Sequence, residues 1–62
     1  MSNNSFYYIV VEIDGASFYV ARGGSYSTDF DMALRFDDRE AAECCRAAMP
    51  EKYKTKVLLF TA

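Results

Sequence analysis

The stretch that decides the fold is Phe6–Ala21, with the sequence FYYIVVEIDGASFYVA. Its first half is rich in β-branched and aromatic residues, which favour a pleated strand. Asp14-Gly15 follows, and because both residues tolerate positive φ, this dipeptide predicts a two-residue hairpin turn. Ala16–Ala21 is then the returning strand. The turn sets a register of opposed residues, namely Ile13 with Ala16, Glu12 with Ser17, Val11 with Phe18 and Ile9 with Val20.

A loop, a helix and a final strand are predicted after the hairpin. Arg22–Asp31 contains Gly23-Gly24 together with Ser and Thr residues, which are typical of a loop. Met32–Phe36 fits either a helical turn or a brief strand at Leu34–Phe36. An acidic start with Asp37 as the cap and Glu40 three residues on, with a stop at Pro50, predicts a helix over residues 38–49. Residues 53–61 predict the last strand.

The order strand, strand, helix, strand predicts an α+β fold. We expect a small antiparallel sheet, with room for an extra short strand, and one helix packed on one face. Residues 1–5 are expected to form a flexible N-terminus, and residues 6–62 a single domain. The expected core comprises Ile9, Val11, Phe18, Val20, Phe36, Ala41, Cys45, Ala48, Val57 and Leu59.

The sheet face without a helix is a second candidate feature. The alternation of the strands assigns it Phe6, Tyr8, Val10, Tyr19, Leu58 and Phe60. Such a contiguous apolar patch is too large to be left in water. We therefore expect either the loop with Tyr26 and Phe30 or another chain to cover it, which includes the possibility of a homodimer.

Little in the sequence indicates catalysis. The chain has no histidine, and its two cysteines, Cys44 and Cys45, are adjacent. Two neighbouring cysteines without further ligands do not make a zinc site, and no cofactor is expected. They are either redox-active or small apolar residues of the helix, and the second interpretation is favoured. No apolar run approaches the roughly 18 residues of a membrane span and no signal peptide is visible, so a cytoplasmic location is expected.

The charges are unevenly distributed along the chain. The whole chain has a net charge of −2, whereas residues 29–43 alone carry six acidic residues and two arginines. Acidic residues at a helix start, and Glu43 four residues after Arg39, have an ordinary structural explanation. Asp29 and Asp31 do not. Lys52, Lys54 and Lys56 are better explained as charges that protect an edge strand than as a nucleic-acid site, so direct nucleic-acid binding is not expected.

One further stretch carries a resemblance to known proteins. It is DMALRFDDREAA, residues 31–42, in which an A-x-x-F step (Ala33 to Phe36) leads into an E-A-A helix start (Glu40 to Ala42). Placed after a hairpin, this layout resembles that of many short phage and prophage proteins over most of residues 6–61. As a short acidic chain it also looks like an anti-CRISPR protein. That resemblance implies a non-enzymatic protein that binds a nucleic-acid-handling host complex.

The functional expectation is therefore an interaction protein that acts in the host bacterial cytoplasm. Its acidic surface would dock on a basic, DNA-binding surface of a CRISPR effector subunit and block DNA binding. The alternative is a small homodimeric accessory or structural domain that associates through its apolar sheet face, without an inhibitory role. The expected partner-binding residues are Asp29, Asp31, Asp37, Asp38, Glu40 and Glu43, with Tyr26 and Phe30.

Overall fold

The computed structural model describes residues 5–61, which form a four-stranded antiparallel sheet with one helix packed against it. The strands are β1 (Phe6–Ile13), β2 (Ala16–Val20), β3 (Tyr26–Ser27) and β4 (Lys54–Phe60), the helix is α1 (Arg39–Ala47), and short 3-10 turns span Arg22–Gly24 and Phe30–Met32. The sheet order is β3-β2-β1-β4. The predicted α+β fold is confirmed. The predicted flexible N-terminus lies outside the described residues, apart from Ser5.

The hairpin has the predicted turn and register. Asp14 and Gly15 both have positive φ, 53° and 83°, as the two-residue turn requires. Ile13 pairs with Ala16, Glu12 with Ser17 and Val11 with Phe18. The turn chemistry and the apolar pattern therefore select the same pairing.

The core lies between the sheet and α1. Ile9, Val11 and Val20 are buried there, and the helix buries Ala42. Three expected core residues are wrong: Ala41 and Ala48 are exposed on the helix, and Leu59 is 51% exposed on β4. The helix turns Ala42 and Cys45 to the sheet because they are three residues apart on one helix face, and Met49 packs against the core just after the helix ends. Leu59 stays exposed because β4 has no strand beyond it within residues 5–61.

The segment predicted as a loop contains a strand. Gly23 and Gly24 both have positive φ, 76° and 78°, and turn the chain so that Tyr26–Ser27 pairs with the end of β2. Further on, Ala33 bridges to Ala21 and Phe36 bridges to Tyr7 in an antiparallel sense. Residues 33–36 are therefore extended along the sheet, and the helical turn precedes them at Phe30–Met32.

The helix begins one residue later than its predicted cap implied. Asp38 is the N-cap, and its Oδ1 accepts a hydrogen bond from the Glu40 amide at 3.1 Å. Asp37 lies outside the helix. Within residues 5–61, no helix has the length and apolar character needed to cross a membrane.

Candidate protein-binding site

The acidic residues of the segment 29–43 do not form one surface. Asp29 stabilises its own turn, because its Oδ1 accepts a hydrogen bond from the Asp31 amide at 3.0 Å while its amide donates to Ser27 Oγ at 3.0 Å. Asp38 is occupied as the helix cap. Both residues therefore have a local structural role that uses the carboxylate.

The Glu43 carboxylate is paired with two arginines of the same helix. Its carboxylate accepts a hydrogen bond from Arg46 Nε at 2.8 Å and lies 3.7 Å from Arg39 Nε. The hydrogen bond from Arg46, followed by the charges of both arginines, lowers the pKa of the Glu43 carboxyl. Glu43 is therefore not a free negative charge for a partner. Glu40 is exposed in the first turn of α1.

Two of the predicted site residues, Asp31 and Asp37, do come together. They line one surface depression of about 520 Å³, and Phe30, also predicted, lines it with them. The remaining lining residues are Ser5, Phe6, Arg35 and Phe60. The two aspartates reach the same depression because the extended chain after the Phe30–Met32 turn returns to the start of β1, where Phe36 pairs with Tyr7.

Phe30 forms the aromatic part of this depression. It lies across the sheet face opposite the helix, with ring centroids 5.0 Å from Tyr8, 5.2 Å from Tyr19 and 5.5 Å from Phe60. A further contact joins it to Phe6 at 6.0 Å. This face was expected to be covered either by the loop or by another chain. The loop covers part of it through Phe30. Leu58 and Phe60 remain 38% and 37% exposed.

Tyr26 does not join this site. It pairs with Val20 in the ladder between β2 and β3, so its side chain lies on the helix side of the sheet. Its ring is 6.2 Å from that of Tyr53, which packs against the core. The expectation that Tyr26 and Phe30 cover the same face is wrong, because the pairing of β3 with β2 directs Tyr26 to the helix side while Phe30 packs on Tyr8 and Tyr19 of the opposite face.

Arg35 belongs to the site and was not predicted. Its guanidinium carbon lies 4.8 Å from the centre of the Phe6 ring, which is a cation–π arrangement. Along the chain, Arg35 lies between Asp31 and Asp37. A signal for it exists in the sequence. Once residues 33–37 are taken as extended, Arg35 and Asp37 fall on the same side of the chain. Phe6 and Phe60 were assigned to the correct face but not to the site.

The two adjacent cysteines of the helix differ in burial. Cys45 packs against the core, as expected of a small apolar residue, and Cys44 is exposed. Among residues 5–61, no cluster of three or more His, Cys, Asp or Glu side chains is placed to hold a metal ion.

Comparisons of the chain with protein-family models, with curated proteins and with solved structures found no match. The fold and the surface depression are therefore the basis on which a function is argued. Together they describe a small α+β domain with a mixed acidic and aromatic depression on one sheet face.

Proposed function

We propose that this chain is a non-enzymatic protein-binding domain whose depression receives basic side chains of a partner. The observation that carries the proposal is that the carboxylates of Asp31 and Asp37 are available to a partner. Within residues 5–61 neither carboxylate accepts a hydrogen bond or forms an ion pair, although both line the same depression. Two available carboxylates beside aromatic rings provide charge attraction and apolar contact together.

The magnitudes indicate how the two contributions divide. Exposed ion pairs contribute only about 0–1 kcal/mol each, so two carboxylates alone give weak binding. Contact with Phe6, Phe30 and Phe60 has to supply much of the affinity, at roughly 25 cal/mol per Å² of apolar surface removed from water. The carboxylates would then set the orientation and the rate of encounter, and salt would weaken them over a Debye length of about 10 Å at 0.1 M.

The proposed partner is a protein surface that normally holds phosphates. Such a surface presents lysines and arginines, and a domain that occupies them competes with DNA. The resemblance to anti-CRISPR proteins makes a CRISPR effector subunit in the bacterial cytoplasm the first partner to test. Of the partner-binding residues expected from the sequence, Asp31, Asp37 and Phe30 are retained as proposed contact residues. Phe6 and Phe60 are added to them. Glu40 is exposed in the first turn of α1 and does not line the depression, so it is not among the proposed contact residues.

The test uses two variants with the same change in net charge. Asp31→Asn with Asp37→Asn raises the charge of the chain from −2 to 0, and so does the control Glu51→Lys, which lies outside the depression. The parent protein should restore phage plaquing on a bacterium with an active CRISPR system. The double variant should lose that effect, and the control should keep it.

Two results would contradict the proposal. If the parent protein fails against every CRISPR type tested, the inhibitory function is wrong. If the double variant is folded and restores plaquing as well as the parent, inhibition exists but the depression is not its site. Far-ultraviolet circular dichroism of both variants establishes that the fold is retained.

A further inference from the structure

The second exposed feature of the domain is the free edge of β4. This strand spans Lys54–Phe60 and is the last in the sheet order, so one side of its backbone has no strand neighbour within residues 5–61. An uncovered edge of this kind can pair with another strand. The C-terminal half of β4, residues 57–60, has no charged residue, proline or glycine that would oppose such pairing.

The hydrogen bonds of the neighbouring strand β1 show which backbone groups of β4 face outward from the sheet edge. Tyr7 uses both its N–H and its C=O on Phe36, at 2.8 and 2.9 Å, although it is also opposite Leu59 of β4. Tyr7 and Leu59 are therefore not hydrogen-bonded to each other, and the Leu59 groups point away from β1. Because the pattern alternates along an antiparallel pair, Val57 and Thr55 also direct their N–H and C=O groups outward.

The side chains along the same edge are unusually apolar. Three consecutive residues, Leu58, Leu59 and Phe60, are 38%, 51% and 37% exposed. They alternate between the two faces of the sheet, so covering a single face leaves some of them in water. A strand added beside β4 contacts all three.

We propose that two copies of this chain associate by antiparallel pairing of their β4 strands about a twofold axis at Leu58. This register opposes Val57 to Leu59 of the second copy with reciprocal backbone hydrogen bonds. It places the two Leu58 side chains against each other and Lys56 against Phe60 of the second copy. The result is a continuous eight-stranded sheet in which the exposed leucines and Phe60 gain apolar or cation–π contacts.

A second copy is the occupant because the edge is complementary to itself. In this register no two charges of the same sign are opposed, and Thr55 faces Thr61 of the second copy. A twofold axis at Thr55 would instead oppose Lys54 to Lys56, and an in-register parallel pair would place identical lysines side by side, which is destabilising. Lys54 and Lys56 thus restrict the edge to the pairing centred on its apolar half.

The size of the contact sets the expected strength. β4 has seven residues, and a strand of that length is only about 23 Å long. The interface is therefore expected to fall below the roughly 1,200–2,000 Å² of a standard stable complex. A weak, reversible dimer is the expected state. Its interface shares Phe60 with the depression but does not use Asp31 or Asp37, so a loss of dimerisation in the Leu58 variants is distinguishable from a loss of partner binding in the aspartate variant.

The twofold axis makes a specific test possible. Sedimentation equilibrium from about 1 µM to about 1 mM should give a reversible monomer–dimer transition for the parent chain. Leu58→Glu and Leu58→Lys should each shift that transition at least about tenfold to higher concentration, because like charges then face each other at the axis. An equal mixture of the two variants should restore association, since the opposed charges now have opposite sign.

Met32→Glu is the matched control, because it adds one charge at a side chain that is 59% exposed and belongs to the Phe30–Met32 turn rather than to β4. It should dimerise like the parent chain. A parent chain that stays monomeric throughout the range overturns the proposal, as does a dimer that persists unchanged in Leu58→Glu. A mixture that fails to restore association rules out the axis at Leu58. Circular dichroism of each variant establishes that it is folded.

Discussion

Two neighbouring aspartates illustrate how position decides the role of a residue. Asp37 and Asp38 are adjacent residues of the same type, and both precede the helix α1. Asp38 has extended backbone angles, φ −127° and ψ 131°, immediately before the first helical residue, so its carboxylate can reach the Glu40 amide. Asp37 is one residue too early and faces the depression instead. The sequence pattern defines the helix start to within one residue, and this single step exchanges the two roles.

Replacing each aspartate by alanine should separate these roles. Asp38→Ala removes the cap and should lower the free energy of unfolding by about 1 kcal/mol. Asp37→Ala should change it by less than about 0.5 kcal/mol, as is usual for an exposed side chain without a structural contact. Urea unfolding at neutral pH measures both. A larger loss for Asp37→Ala than for Asp38→Ala would mean that the helix is capped as the sequence first indicated.

At the scale of elements, the hairpin and the helix were predictable and β3 was not. Asp14-Gly15 and the apolar alternation agree on one register, and Pro50 and the acidic start limit the helix. β3 has only two residues, Tyr26–Ser27, and no local pattern distinguishes it from a loop. Its pairing with β2 depends on contacts between distant residues. The prediction that Tyr26 and Phe30 share a face failed for this reason.

Phe30 should matter more for stability than Tyr26. It makes four ring contacts with the sheet face opposite the helix, whereas Tyr26 makes one and is 37% exposed. Phe30→Ala should therefore cost about 2 kcal/mol, less than for a fully buried phenylalanine because Phe30 is only half-buried. Tyr26→Ala should cost about 1 kcal/mol or less. Chemical denaturation of both variants checks the order, and equal losses would show that Phe30 does not hold the face together.

At the scale of the whole molecule, the negative charge of residues 29–43 does not become one acidic surface. The fold uses Asp29 and Asp38 in local hydrogen bonds and pairs Glu43 with two arginines. Asp31, Asp37 and Glu40 remain. Asp31 and Asp37 line the depression together with Arg35, whereas Glu40 is exposed in the first turn of α1. A charge count along the sequence could identify the segment. It could not show which carboxylates stay available, because that depends on the turn and the cap.

The central claim is that binding of basic groups is confined to this depression. An ¹⁵N-labelled sample titrated at low salt with a short arginine-rich peptide tests it directly, with a citrulline-substituted peptide as the uncharged control. The expected result is that amide shift changes concentrate at Phe6, Phe30, Asp31, Arg35, Asp37 and Phe60 and disappear with the control peptide. Changes that are as large at Asp29, Glu40 and Glu43, or that spread evenly over all the acidic residues, would contradict the claim.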